Sequence, residues 1–470
     1  MCSKFSRTFF LLLTMLVCTM VIFSMAPRMT MSFWSSTENE ILWRRKETEH
    51  LDCGRVLRND KKYIEQFTGD NRLSIVPNLK YLDMSCDAIQ HRIIPFNFHL
   101  RPLKVGVVFA RVVYKDYEFL EKQVQMSYHP QNIFCFFIDS KSDSDFKWRM
   151  RRLGRCLPNI HVMEGRHINS RRTSNRFSWS QYEYGTLQMY GEDGETTELG
   201  IFHFDADVGD HETLNLKNHD VIGKTVYEIS RIFEILDGAN DIDIDKEFGR
   251  IEQRFEWDLK TLRLFRDESL YTSSFLNNTL RISKGSVQGS LSREAVEWMV
   301  KTVNPRVYLD QWNEGKYGVD EQWISTFQAN EFLEMPGHFT DQCLKETGNK
   351  TDFITRWSKW SWSDEIGEKC GSKTVRHGVC IMGIEELPVI ARMPNIMFNK
   401  MMPLFDYSIV ECAAELIYNR TFLGQEDHPL EEDYYASMIN VHYHKHHLET
   451  GYALNCTPSY ESWRFRKYPL

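Results

Sequence analysis

The sequence is poor in the two residues that most often interrupt regular structure. Its 470 residues include 25 glycines and 14 prolines, below the roughly 12% together of average composition. Collagen-like and low-complexity chains are therefore excluded. A basic excess is also lacking, because 57 Lys and Arg face 65 Asp and Glu, a net charge of −8. A nucleic-acid partner is not expected, and 42% hydrophobic residues predict a folded chain.

Cysteine pairs of the Cys-x-x-Cys form are absent, which argues against a zinc ribbon. Apart from Cys2 and Cys18, nine of the 11 cysteines remain. In an oxidising compartment this odd number indicates disulfides plus at least one free thiol. Four Asn-x-Ser/Thr triplets are predicted glycosylation sites, as on a lumenal protein: Asn277, Asn349, Asn419 and Asn455.

One long apolar run, residues 9–25, lies near the start of the chain and follows Lys4 and Arg7. Such a segment is either a cleaved signal peptide or a signal anchor. We favour the anchor, because residues 25–28, Met-Ala-Pro-Arg, form no small-x-small cleavage site. The predicted organisation is that of a type II membrane protein, with a cytoplasmic tail (1–8), a transmembrane anchor (9–25), a stem (26–52) and a lumenal domain (53–470).

An α/β pattern begins at residue 105. Residues 105–110 and 133–138 are continuous apolar runs typical of buried parallel strands, and helical spacing between them ends at Pro130. The predicted βαβ unit places its ligand site at the carboxyl ends of the strands. Asp139 follows the second strand as a candidate binding residue, with a cap or turn residue as the alternative.

A third apolar run, residues 199–204, ends at Asp205-Ala206-Asp207. Nucleotide-sugar transferases of the GT-A type often use an Asp-x-Asp there to hold a divalent ion against the diphosphate. Chance gives such triplets in an acidic chain, and residues 241–245 contain two more. Asp205 and Asp207 are therefore an alternative metal site.

Two later segments contain candidate site residues. Residues 283–298 are predicted to form a small-residue segment before a helix capped by Ser292; an ordinary turn is the alternative. Asp320 and Glu321 follow, beside Trp323. A carboxylate in a partly apolar pocket can act as a general base, whereas a solvated acidic pair is the plainer interpretation.

In their order, these segments resemble the core-2/I-branching β-1,6-N-acetylglucosaminyltransferase family, which also contains the xylosyltransferases. The resemblance runs from residue 105 to 416. Its motifs are Tyr-His-Pro-Gln-Asn at 128–132 before Asp139, Gly-Ser at 285–286, Ser-Arg-Glu at 292–294, Val-Asp-Glu at 319–321 in place of Pro-Asp-Glu, Arg-Trp-Ser-Lys-Trp at 356–360, Val-Arg-His-Gly-Val-Cys at 375–380, Gly-Ile-Glu-Glu-Leu at 383–387 and Phe-Asn-Lys at 398–400.

The resemblance implies a GT-A-like (Rossmann-like) domain of a Golgi glycosyltransferase. It would transfer N-acetylglucosamine from a UDP-sugar to a glycan hydroxyl with inversion. Matched residue by residue, Asp139 would contact the uridine, Glu321 would be the catalytic base, and Arg376 and Lys400 would bind the diphosphate. Because two cations can neutralise a diphosphate, no cofactor is expected; Mn²⁺ is the alternative.

The resemblance also implies acceptor-binding roles for Asp243, Arg254 and Trp360. Ile251 stands where the family has a Lys, and of the residues at 205–209 only Asp207 clearly matches. These departures leave three alternatives: a xylosyltransferase, a metal-dependent transferase, and a catalytically silent sugar-binding paralogue.

Most remaining cysteines and histidines are assigned structural roles. Family positions imply the disulfides Cys370–Cys380, Cys53–Cys412 and Cys86–Cys156, and we add Cys343–Cys456 as a guess. Cys135 would then be a buried free thiol. The histidine-rich residues 442–447 are predicted to form a solvated strand or loop rather than a metal site.

Overall fold

The computed structural model describes residues 42–75, 81–95, 99–139, 141–164, 178–180, 186–190, 196–199, 211–216, 219–247, 249, 251–314, 321–348, 351–361, 370–457 and 459. They belong to one unit that begins at Leu42, inside the segment assigned above to the stem. The predicted anchor, Asp205, Asp207 and Asn349 lie outside the described residues. Within the described ranges, every helix is too short or too polar to cross a membrane.

Thirteen strands are described across four sheets. They are β1 (Gly106–Val113), β2 (Ile133–Ile138), β3 (Ile160–Glu164), β4 (Ser178–Ser180), β5 (Thr186–Tyr190), β6 (Thr196–Leu199), β7 (His211–Leu216), β8 (Val221–Ile222), β9 (Ser290–Leu291), β10 (Arg356–Ser358), β11 (Val375–Arg376), β12 (Val379–Cys380) and β13 (Met397–Asn399). The main sheet has the order β3-β2-β1-β7-β9. Its first four strands are parallel, and β9 is antiparallel to β7.

Sixteen helices are described. They are α1 (Cys53–Leu57), α2 (Lys61–Ile64), α3 (Cys86–Ile93), α4 (Tyr117–Ser127), α5 (Ser144–Cys156), α6 (Val226–Leu236), α7 (Leu259–Leu262), α8 (Ser273–Leu276), α9 (Arg293–Lys301), α10 (Arg306–Asn313), α11 (Trp323–Ala329), α12 (Gln342–Glu346), α13 (Leu387–Ile390), α14 (Tyr407–Phe422), α15 (Glu432–Ala436) and α16 (Ile439–His446). The mixture of helices with a mainly parallel sheet confirms the predicted α/β class.

The predicted βαβ unit is confirmed as β1, α4 and β2. Helix α4 ends three residues before Pro130, and β1 pairs with β2 in parallel, Val108 opposite Ile133. Alternate residues of β1 enter cores on opposite faces of the sheet, Phe109 in one and Ala110 in the other. Two buried faces explain why these strands are continuously apolar.

The third predicted strand, residues 199–204, is described only at its first residue. Leu199 ends β6, which belongs to a separate antiparallel sheet, and residues 200–204 lie outside the described ones. On the side away from β2, the strand next to β1 is β7. Its sequence, HETLNL, is partly polar, so the search for continuous apolar runs missed it.

The structure contains all four proposed disulfides: Cys53–Cys412, Cys86–Cys156, Cys343–Cys456 and Cys370–Cys380. Cys135 is a buried free thiol in β2, and burial raises its pKa. That pKa makes the thiol a poor nucleophile. The first disulfide joins α1 to α14, and its two cysteines are 359 residues apart in the sequence.

The prediction of a strand or loop at residues 442–447 was wrong, because His442, His444 and His446 belong to α16. His444 Nε2 donates a hydrogen bond to the Asp237 carbonyl, 3.0 Å away. Its pKa is lowered by burial. Helical packing therefore accounts for a histidine that looked solvated in the sequence.

A buried ion pair lies beside the Cys53–Cys412 disulfide. Lys122 Nζ of α4 is 2.9 Å from Glu411 Oε1 of α14, and both side chains are fully buried. Lys122 also donates to the Trp43 carbonyl, and Glu411 accepts from the Thr48 hydroxyl. The pair therefore joins two helices to residues 42–48, which precede the predicted lumenal boundary.

Breaking this ion pair is expected to destabilise the protein strongly. Lys122→Met leaves a buried carboxylate without its cation and should lower the free energy of unfolding by about 3–5 kcal/mol. The double variant Lys122→Met/Glu411→Leu should lose less than the two single variants combined. Urea unfolding measures both, with Lys104→Met in the exposed Lys104–Glu234 pair as a control expected within about 1 kcal/mol of wild type. Additive losses would contradict this coupling.

Candidate functional site

Two backbone segments form the frame of the site. Residues 241–245 pair in antiparallel fashion with 284–290, through bridges Asp241 to Ser290 and Asp245 to Lys284. At Gly285 a Cβ atom would lie 1.9 Å from the Asp243 carbonyl oxygen. Only glycine permits this approach. The small residues predicted at 283–298 thus serve contact between backbone segments, and Ser292 caps α9 as predicted, accepting from the Ala295 N–H.

Glu321 lies beside this frame, just before α11. Its carbonyl accepts from the Gly285 N–H at 2.7 Å, and its carboxylate Oε2 is 3.4 Å from Lys284 Nζ. The Glu321 side chain is 31% exposed, while Trp323 is buried in the second core. The carboxylate is therefore partly exposed to solvent and has a cation at its side.

Asp243 reaches the same segment from the other strand of the frame. Its Oδ2 accepts from the Ser286 N–H at 3.0 Å, and its carbonyl accepts from the Ser325 hydroxyl at 2.9 Å. Asp243 and Glu321 therefore both contact residues 284–286. The structure brings together a predicted acceptor-binding carboxylate and the predicted base.

Asp139 lies at the carboxyl end of β2, as predicted. Its N–H donates to the Val113 carbonyl of β1, and its Oδ1 accepts from the Lys141 N–H at 2.9 Å. The side chain thus makes the turn contact that was the alternative interpretation. It is also placed where parallel sheets bind ligands, so the two roles are compatible.

The two predicted diphosphate-binding cations lie on connected segments. Arg376 is in the β11–β12 hairpin, which the Cys370–Cys380 disulfide encloses. Lys400 follows β13, and its carbonyl accepts from the Met382 N–H at 2.9 Å. The hairpin and the end of β13 are therefore held to one another through main-chain contact.

The two remaining predicted acceptor residues differ in position. Trp360 is half-buried and forms a backbone bridge to Val379 of the Arg376 hairpin. Arg254 is 59% exposed and lies 3.6 Å from Glu314, with its guanidinium over the Phe255 ring. Among the described residues, no ion pair or hydrogen bond joins Arg254 to Asp243 or Glu321.

Sequence reasoning missed several polar residues close to this frame. Arg356, at the start of β10, donates to Gln288 Oε1 at 2.5 Å. Asn399 donates to Asp220 Oδ1 at 2.9 Å, and the guanidinium of Arg111 in β1 donates to the Asp220 carbonyl at 3.3 Å. Arg356 and Asn399 fall within family motifs quoted above, which was the available signal. Neither Asp220 nor Gln288 had one.

Asp241, the first residue of the frame, connects it to the residues that precede β10. Its carboxylate accepts from the Ile354 and Thr355 N–H groups and from the Thr355 hydroxyl, which anchors the residue before Arg356. Burial raises the pKa of Asp241 to about 7, against the opposing effect of these hydrogen bonds. The frame is thus connected to β10 through a buried, titratable carboxyl.

Comparison with known proteins gives one family. The family model described as "Branch: Core-2/I-Branching enzyme" matches residues 107–178 and 205–391, more than half of the chain. A β-1,3-galactosyl-O-glycosyl-glycoprotein β-1,6-N-acetylglucosaminyltransferase 4 of Danio rerio is 25% identical over 66% of this chain and 69% of its own length. The β-1,6-N-acetylglucosaminyltransferase 3 of the same series is 22% identical in Rattus norvegicus, over 80% of this chain and 84% of its own length. The Homo sapiens protein of that name is also 22% identical, over 78% of this chain and 79% of its own length.

The raised pKa of Asp241 predicts that the contribution of this residue to stability falls as pH rises. An unfolded aspartate titrates near about 3.9, so the folded state retains a proton that the unfolded state has lost between about pH 4 and pH 7. The contribution of Asp241 to the free energy of unfolding should decrease across that window and level off above it. Asp241→Asn should remove this contribution, whereas the exposed Asp70→Asn should keep it. Urea unfolding at several pH values measures this contribution. Parallel plots of unfolding free energy against pH for wild type and Asp241→Asn would contradict the prediction.

Proposed function

Because the chain belongs to the core-2/I-branching enzyme family and is a glycosyltransferase, we propose that it transfers N-acetylglucosamine from a UDP-sugar to a glycan hydroxyl, forming a β-1,6 branch. The names of the relatives support this choice of sugar and linkage. The observation in the chain itself that carries the proposal is the placement of the Glu321 carboxylate beside Lys284, on the segment that also binds Asp243.

In this mechanism Glu321 removes the proton from the acceptor hydroxyl. The oxygen attacks the anomeric carbon from the face opposite UDP, so the configuration inverts as the bond to the β-phosphate oxygen breaks. The ion pair with Lys284 Nζ, 3.4 Å away, would help to orient this carboxylate. Asp243, and Arg254 and Trp360 farther out, would orient the acceptor sugar.

On the donor side, Asp139 would bind the uridine, and Arg376 and Lys400 would bind the diphosphate. Negative charge develops on the leaving phosphate, so cations fixed in advance lower the barrier. Support comes from the closure of the Arg376 hairpin by the Cys370–Cys380 disulfide and from the main-chain contact of Met382, two residues after that hairpin, with Lys400. The same arrangement is consistent with a GT-A-like fold.

We further propose that the enzyme is a type II membrane protein of the Golgi, anchored by residues 9–25 with the catalytic unit in the lumen. Four disulfides among the described residues support an oxidising compartment. Two of the predicted glycosylation sites, Asn277 and Asn455, are exposed. At Asn455 the Oδ1 atom accepts from the Thr457 N–H of the same triplet, and Asn419 is half-buried in α14.

Replacing the proposed base should separate chemistry from donor binding. Glu321→Gln keeps the shape of the side chain but cannot accept a proton, so kcat should fall at least about 100-fold while UDP binding is retained. Lys400→Gln should instead weaken UDP binding. Transfer assays and calorimetric titration with UDP measure the two effects, with the surface variant Glu268→Gln as the matched control. Retained turnover in Glu321→Gln would remove this residue from the base role.

A metal-dependent transferase acting through Asp205 and Asp207 is the second candidate, favoured by the Asp-x-Asp pattern. If the Arg376 and Lys400 pair neutralises the diphosphate, transfer from UDP-N-acetylglucosamine should keep its rate in EDTA. UDP-xylose, assayed in parallel, should support no comparable transfer. Activity that disappears in EDTA and returns with Mn²⁺ would assign the diphosphate to Asp205 and Asp207 instead.

A further inference from the structure

Arg356 occupies a junction between the two sides of the proposed site. It begins β10, which pairs in parallel with β13 so that Arg356 lies opposite Met397. Strand β13 leads directly to Lys400 on the donor side. The Arg356 side chain points instead to Gln288, which belongs to the acceptor-side segment, at 2.5 Å. One residue thus joins the strand pair of the donor side to the frame that holds Asp243.

The charge of Arg356 is balanced by carboxylates from three separate segments. Burial lowers its pKa, and Asp220, Glu321 and Asp243 each oppose that decrease through favourable charge interaction. Three carboxylates repel one another, and a partly buried cation among them reduces that repulsion. Lys284 contributes a second positive charge at Glu321. Loss of Arg356 would therefore leave the carboxylates less well compensated.

The orientation of the Gln288 amide follows from the same contact. An arginine side chain only donates hydrogen bonds, so the atom facing Arg356 is the Oε1 oxygen. That oxygen also accepts from the Ser286 hydroxyl at 3.1 Å, and the Ser286 N–H donates to Asp243 Oδ2. Arg356, Gln288, Ser286 and Asp243 form a continuous relay.

This orientation has an energetic cost. Gln288 is 2% exposed, and its Nε2 donor finds no acceptor among the described residues. A buried amide without a partner is destabilising, and the opposite amide orientation would place two donors together. The Arg356 contact therefore fixes the orientation of the Gln288 amide, although its Nε2 donor has no acceptor among the described residues.

We propose that Arg356 is a positioning residue for the transfer reaction. Through Gln288 and Ser286 it holds the Asp243 carboxylate in the orientation that receives the acceptor, on the segment that also positions Glu321. The inference rests on the proposed function, because it assigns Asp243 to the acceptor and Glu321 to the proton. The new element is that the acceptor-binding residues depend on Arg356, a cation from the strand pair β10–β13 that leads to the donor side.

A double-mutant cycle on transfer kinetics tests the relay. Arg356→Met and Gln288→Leu should each lower kcat/KM for the acceptor by about 10-fold to 100-fold, as expected for loss of a hydrogen bond to a charged group. The double variant should lose no more than the larger single loss, because both changes break one path. KM for the UDP-sugar should stay near wild type, and Arg356→Lys should recover part of the activity by restoring the charge.

Three results would overturn the proposal: single losses that multiply in the double variant, unchanged acceptor kinetics in Arg356→Met, or a loss confined to UDP-sugar binding. If Arg356→Met does not fold by circular dichroism, the pair Gln288→Leu and Ser286→Ala gives the same cycle farther along the relay. The Glu321→Gln assay distinguishes failure of the proposed function from failure of the relay. An active Glu321→Gln enzyme rejects the proposed function, whereas an inactive one combined with multiplicative Arg356 and Gln288 effects rejects only the relay.

Discussion

The close approach of Gly285 to the Asp243 backbone is the constraint on which the candidate site depends. A Cβ at Gly285 would lie 1.9 Å from the Asp243 carbonyl oxygen, so any side chain there would separate the two strands. Their contact lets Lys284 reach the Glu321 carboxylate, lets the Gly285 N–H bind the Glu321 carbonyl, and lets the Ser286 N–H bind Asp243. Widening the frame would alter the base and the acceptor carboxylate together.

The site is supported by elements distant in sequence that covalent and ionic links hold together. The Cys53–Cys412 disulfide and the buried Lys122–Glu411 pair join the start of the described chain to α14. Under the Arg376 hairpin, Lys359 forms a buried ion pair with Glu386, which also accepts from the Gly371 N–H. Arg376, a proposed diphosphate-binding residue, therefore lies in a hairpin that a disulfide and a buried ion pair hold in place. Such ties keep cations in place without a bound donor.

Charge compensation organises the proposed chemistry. Glu321 has Lys284 at its side, Asp220 is bound by Asn399 at its carboxylate and by Arg111 at its carbonyl, and Arg356 balances carboxylates from three segments. Positive charge close to several carboxylates reduces the repulsion among them. The same mixture of charges fits an inverting transfer, which needs an anionic base on one side and cations for the leaving phosphate on the other. The family resemblance and the charge pattern thus support one reaction.

The sequence by itself determined the α/β class, the βαβ unit and the position of Asp139, because continuous apolar runs and helical spacing are local patterns set by burial on both faces of a sheet. Ordered motifs also identified the family, and family positions gave three of the four disulfides, whereas Cys343–Cys456 was a guess. Tertiary structure alone decided that β7 neighbours β1, that His442–His446 is helical, and that Lys284, Gln288 and Arg356 surround the predicted carboxylates. Partly polar strands and packed histidines leave no clear periodicity. Contacts among residues 243, 288, 321 and 356 depend on how distant segments pair, which no local pattern encodes.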